Sequence, residues 1–219
     1  MRQFSPQGLF AFASMVTKQA KGGFFMPKKG DKVLGVLGGM GPAATAEFLR
    51  LLTILAPAAK DQDHPVVIVL SNPKIPDRTE AILGRGEDPA PYLKEGLFRL
   101  VEWGADLLAV PCNTAHYFID HFLAEIPVPL IHIVHSTVEK ARLTSPEGAW
   151  LVATDGTRAS GIYETYAAKV GYPLFLPEAE VQSEIQLLIK LVKANKMAEA
   201  AGKMRRAAER LWEKKPLPL

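Results

Sequence analysis

Short unbroken apolar runs alternate along this chain with stretches in which apolar residues recur every three or four positions. Uninterrupted runs fit strands buried on both faces of a parallel sheet, and the wider spacing fits amphipathic helices packed against them. Strands are predicted over residues 33–37, 66–70, 107–110, 128–134 and 149–153, with a further apolar segment at 173–176. Helices are predicted over 42–52, 89–103 and 115–125, then a short one ending at 142 and one following Thr157, and finally 178–194 and 197–214. This alternation assigns the chain to the α/β class, with mainly parallel sheets and helices on both sides. The same rhythm calls for a strand beginning near Leu217, where the sequence ends.

Chemistry in such folds gathers where strands exit into helices. After the first strand come Gly38, Gly39, Met40 and Gly41, with Pro42 pre-organised for the first helical position and the glycines leaving amides open to an anion. The spacing is neither that of a dinucleotide fingerprint nor that of a P-loop, so no nucleotide is expected there. After the second strand, Asn72, Pro73 and Pro76 predict a loop through Thr79. Arg78 in that loop reads either as a solvated arginine or as a fork for a carboxylate.

The third strand ends at Pro111 and places Cys112 and Asn113 in the turn before a helix that Thr114 is predicted to cap. Cys112 reads either as a reactive thiol beside a helix N-terminus, which stabilises negative charge, or as a small buried hydrophobe. His116, four residues on, is a partner for that thiol or a capping or surface histidine. His132 and His135 are predicted on opposite faces of a strand, which argues against a shared metal. A last turn, Thr154 to Thr157, puts hydroxyls and free amides at a helix start, which reads either as a place for a ligand or as simple capping by Thr157 or Ser160.

Composition narrows the class. Hydrophobic residues at 48% and charged residues at 22% are ordinary for a globular chain. One cysteine rules out an internal disulfide framework, and no C-x-x-C or H-E-x-x-H pattern offers a metal site, so a reducing, cytoplasmic setting is expected. The net charge of +3 is dispersed, and the basic stretch 203–215 reads as a solvated helix face, so no nucleic acid is expected. No apolar stretch is long enough to span a bilayer, and no membrane partner is expected. The first 25 residues contain no Asp or Glu. Residues 1–30 read as a disordered tail, with Met26 as a natural start and a weak targeting peptide as the alternative.

The ordered motifs Gly38-Gly-Met-Gly-Pro42 with Thr45, Asn72-Pro with Ile75-Pro-Asp-Arg-Thr79, Pro111-Cys-Asn-Thr-Ala-His116, Ala153-Thr-Asp-Gly-Thr157 with Ser160-Gly, and Lys193-Ala-Asn195 resemble the aspartate/glutamate racemases, which use neither metal nor pyridoxal phosphate. The resemblance implies two pseudosymmetric α/β domains, residues 31–130 and 131–219, with an amino-acid substrate between them, no cofactor, and pairing as a homodimer. It implies that Cys112 exchanges the α-proton as acid and base. Asn113, Thr114, Thr154 and Thr157 would hold the α-carboxylate and amino group, and Met40 would floor the pocket. Arg78 and Lys193 would bind a side-chain carboxylate, which points to aspartate or glutamate, with aspartate first.

The family also carries a later Gly-Cys-Thr-Glu motif with a second cysteine, which these 219 residues do not contain. An incomplete second domain with an exposed, association-prone sheet edge is therefore expected. Racemisation would need water or another group on the face opposite Cys112. The alternative is a homologue that binds an amino acid without turning it over.

Overall fold

A computed structural model describes residues Lys32–Leu219; the expected tail lies outside them. β1 (Val33–Gly38) is the centre of a four-stranded sheet with β2 (Val66–Ser71), β3 (Leu107–Ala109) and β4 (Leu130–Ile131), in the order β2-β1-β3-β4. All its pairings are parallel, with Val33 opposite Val66, Leu34 opposite Leu107 and Leu108 opposite Leu130. Every residue of β1 is buried, as its unbroken apolar run requires. Its side chains feed two cores. Leu37 joins Leu93, Leu97 and Leu100 of α3 (Ala90–Glu102), while Leu34 and Val36 meet Phe48 and Leu52 of α1 (Pro42–Leu55). Between those two helices lies α2 (Arg78–Ile82), and α4 (Ala115–Ile119) follows β3.

The chain continues through α5 (Ile133–Thr144) to a second parallel sheet of β5 (Ala149–Trp150) and β6 (Leu174–Phe175). α6 (Asp155–Ser160) and α7 (Ile162–Lys169) lie between these strands, and α8 (Ala179–Lys193) and α9 (Met197–Lys214) close the chain. Asn195, at φ 59°, makes the left-handed turn that lets α9 fold back on α8. Val181, Ile185 and Leu188 of α8 then pack with Ala207 and Leu211 of α9 beneath Trp150. Among the described residues no helix is long and apolar enough to cross a membrane.

Several expected elements change at their edges. The predicted strand 128–134 shrinks to Leu130–Ile131, because His132 caps α5 by accepting from the His135 amide at 3.3 Å. His132 and His135 are therefore one helical turn apart rather than on opposite faces of a strand. The predicted helix 115–125 breaks after Ile119 into a 3₁₀ turn at Leu123–Glu125. The edge of β5 away from β6, expected to be open, is met by the last residues: the Trp150 amide donates to Pro218 O at 2.8 Å, its indole donates to Lys215 O at 3.0 Å, and Leu217 is buried.

The two halves touch where α2 meets α6. A Cβ on Gly156 would lie 2.7 Å from the Thr79 Cα, a backbone atom that cannot swing aside. Gly156→Ala is expected to cost about 1–3 kcal/mol by overpacking. A urea midpoint equal to that of the parent chain would show that α2 and α6 separate freely.

Candidate active site

The exits of β1, β2, β3 and β5 surround one cavity of about 330 Å³, within the range that holds a small metabolite. Met40, Arg78, Cys112, Asn113, Thr114, Thr154, Thr157 and Lys193 all line it, so the structure brings every expected site residue to one place. Asp77 and Tyr163 line it too, and sequence reasoning had passed over both.

The turn after β1 is held by its own helix. The Gly39 amide donates to Thr45 Oγ1 at 2.9 Å, so one amide expected to be open to an anion is already used. Gly39 has φ 92°, and a Cβ there would lie 2.5 Å from the Asn72 backbone, so only glycine lets the β1 and β2 exits lie together. Met40, buried, follows at the cavity wall.

The loop expected to run through Thr79 ends two residues earlier. Asp77 caps α2 by accepting from the Thr79 and Glu80 amides at 2.8 and 3.1 Å, which puts Arg78 at the first helical position. Arg78 is only 8% exposed, so it is not a solvated arginine. Its Nη1 donates to Ile75 O at 2.9 Å and Pro76 O at 2.6 Å, while its buried Nε has no partner among the described residues. A guanidinium held through one nitrogen has further donors that could meet a carboxylate. Lys193, from the last turn of α8, lines the same cavity and sits 3.6 Å from Asp77. Burial pushes the Asp77 carboxyl up, but the Glu80 amide and the Lys193 ammonium outweigh it and leave it below its ordinary value.

Cys112 is a half-buried free thiol at the β3 exit. Thr114 does not cap α4 with its side chain, as had been expected. Its hydroxyl instead lies 3.0 Å from that of Thr154 and 2.8 Å from that of Thr157, which are themselves 3.0 Å apart. Three hydroxyls from the two halves thus form a closed triangle, and Thr157 within it is fully buried. The expected caps of α6, Thr157 and Ser160, give way to Thr154, which accepts from the Thr157 amide at 3.1 Å. Gln182 of α8 secures the same turn by donating to Ala153 O at 3.0 Å and Asp155 Oδ1 at 2.8 Å. Asn113 Oδ1 accepts a short 2.5 Å bond from the Tyr163 hydroxyl, and burial pushes that phenol above its ordinary value.

His116 is neither the partner of the thiol nor a surface group. It is fully buried, its Nδ1 lies 2.9 Å from the Cys112 carbonyl oxygen, and burial pushes its pKa down to about 4. The cavity therefore presents one thiol, a hydroxyl cluster, an amide side chain, a phenol, the Arg78 guanidinium and the Lys193–Asp77 ion pair, a set of donors and acceptors suited to a small amphoteric molecule.

Known proteins resemble this chain in sequence and fold. The broad specificity amino-acid racemase RacX of Bacillus subtilis is 27% identical over 169 residues, 75% of this chain and 73% of that protein. The glutamate racemase of Aquifex aeolicus is 31% identical over 106 residues, 43% of this chain and 42% of its own length. Among solved structures, the aspartate racemase of Picrophilus torridus superposes with a TM-score of 0.73 at 28% identity, covering 81% of this chain and 75% of that one. A model of the Asp/Glu/Hydantoin racemase family matches residues 37–216, most of the described chain, and on that match the chain belongs to this family.

Proposed function

We propose that the chain interconverts the enantiomers of an acidic amino acid, with aspartate first and glutamate second, through proton transfer at the α-carbon. The observation that carries this reading is the half-buried thiol of Cys112 in the same small cavity as the buried guanidinium of Arg78. In this mechanism Arg78 and Lys193 hold the side-chain carboxylate, while Thr114, Thr154, Thr157 and Asn113 hold the α-carboxylate and amino group. The Cys112 thiolate takes the α-proton from one face, becoming a thiol, and leaves a carbanion that its own α-carboxylate delocalises. A proton delivered to the opposite face gives the other enantiomer. Cys112 is the one cysteine of these 219 residues, so the group that supplies that proton is not a second thiol from among them. The weak acidity of the α-proton is offset by holding the thiolate close and aligned.

No cofactor enters the scheme. The protein is expected to work in the cytoplasm as a homodimer, and the apolar outer face of α1, with Leu51, Ile54 and Leu55 exposed, is a surface that a second copy would cover.

The deciding experiment incubates the purified chain with L-aspartate in D₂O and follows the α-proton signal and D-aspartate together. Loss of the proton with appearance of D-aspartate is the expected result. Deuterium entry with retained chirality would leave Cys112 as a one-sided base. No change with folded protein would replace the racemase reading by amino-acid binding without turnover.

A further inference from the structure

We propose that His116 is the positioning residue of the Cys112 turn, a neutral imidazole that ties the thiol-bearing backbone to the start of α5. The inference rests on Cys112 being the reactive group of the proposed function, and it adds the device that aims it.

The backbone around Cys112 has little regular structure to hold it. β3 ends at Ala109 and α4 has only five residues, so neither a sheet ladder nor a long helix fixes the turn. Instead both polar backbone groups of Cys112 are tied locally. Its amide donates to Val110 O at 2.8 Å, and its carbonyl accepts from His116 Nδ1 at 2.9 Å. A carbonyl cannot donate, so Nδ1 carries the proton. The other nitrogen, Nε2, must then accept, and the Ile133 amide donates to it at 3.4 Å. One tautomer satisfies both partners, and Ile133 is the first residue of α5, where the chain leaves the first sheet.

The imidazole is itself held. The ring of His132 meets it edge-on, with centroids 4.5 Å apart. The Nδ1 of His132 accepts from the His135 amide, so its Nε2 carries the proton and donates to Asp120 Oδ1 at 2.9 Å. Tyr166 stacks on His132 with centroids 4.8 Å apart. The thiol thus stands at the end of a line that runs from Asp120 through His132 and His116 to the Cys112 carbonyl. A displacement of a reacting group by an ångström costs about 100-fold in rate, so this line bears on turnover without touching substrate.

Two variants separate the roles of the two nitrogens. In His116→Asn the side-chain amide N–H stands near the position of Nδ1 and can still donate to the Cys112 carbonyl. In His116→Gln the amide oxygen reaches the position of Nε2 and accepts from Ile133, while the Cys112 carbonyl loses its donor. The first readout is the rate at which iodoacetamide alkylates Cys112, which requires no turnover. His116→Gln and His116→Ala are expected to change that rate at least about threefold, as a loosened turn exposes the half-buried thiol, and His116→Asn is expected to stay close to the parent. The second readout is aspartate turnover. For His116→Gln, kcat is expected to fall about 10- to 100-fold with KM within about threefold, and His116→Asn is expected to recover most of it.

Equal alkylation rates in Asn, Gln and parent would overturn the proposal, as would a loss of kcat in the Asn variant as large as in the Gln variant. Should His116→Ala fail to fold, the Asn and Gln pair still decides. If the parent neither exchanges nor racemises aspartate, the function proposed above fails, while the alkylation series still reads whether His116 holds the turn.

Discussion

Cys112→Ser is expected to lower α-proton exchange of aspartate by about 10³-fold or more, while aspartate binding changes by no more than a few-fold. Serine keeps the shape of the side chain and its place at the β3 exit, but at neutral pH its hydroxyl offers no appreciable base, and general base catalysis alone supplies about 10²- to 10⁴-fold. In the proposed mechanism binding rests on other atoms, namely Arg78, Lys193 and the threonine cluster, which the substitution leaves in place. Proton NMR in D₂O reads the first quantity and calorimetric titration reads the second. Exchange retained at a tenth of the parental rate or better would remove Cys112 from the chemistry. A parallel loss of binding would assign the cysteine to the architecture of the pocket instead.

Arg78→Lys is expected to reduce kcat/KM for aspartate by about 100-fold and to leave a neutral amino acid almost unaffected. The charge persists, but the flat fork does not, and lysine cannot both satisfy the carbonyls of Ile75 and Pro76 and reach a carboxylate with paired donors. Truncating one member of a buried charged pair costs about 2–5 kcal/mol, which brackets a hundredfold at 1.4 kcal/mol per decade. Arg78→Leu is harsher, because it also strands the two carbonyls, at about 1–3 kcal/mol of stability for each buried group left unpaired. Rates measured with aspartate and alanine side by side test the assignment. If both substrates fall by the same factor, Arg78 holds the loop together and does not read the side chain.

The strands and their exits were legible because each is a local apolar run bounded by glycine, proline or a polar turn. The position of Cys112 followed from that alone. Two errors came from weighing local signals wrongly. Pro73 and Pro76 suggested an extended loop, yet Asp77 was already a good helix cap and Arg78 the first residue behind it. Ile133 and Val134 look like strand residues, but a histidine cap turns them into a helix. Other features had no local signal to find. The Thr114 hydroxyl bonds to threonines 40 and 43 residues away, and Tyr163 reaches Asn113 across 50. A sequence read in short windows assigns such side chains to the nearest helix end. Only the closing of the two halves onto each other redirects them.

That closing bears on how the site meets its ligand. Three hydroxyls own three protons, and a triangle of three O···O contacts uses all of them when each oxygen donates to the next. In the closed ring no hydroxyl has a proton left for a ligand, and Thr154 already accepts from the Thr157 amide, so what the ring offers a ligand is the lone pairs of Thr114 and Thr157. An ammonium group finds them ready, whereas a carboxylate finds no donor until one link of the ring opens. The threonine cluster is in this respect a polarity filter, and the order in which the two ends of the amino acid are engaged is written into its proton count.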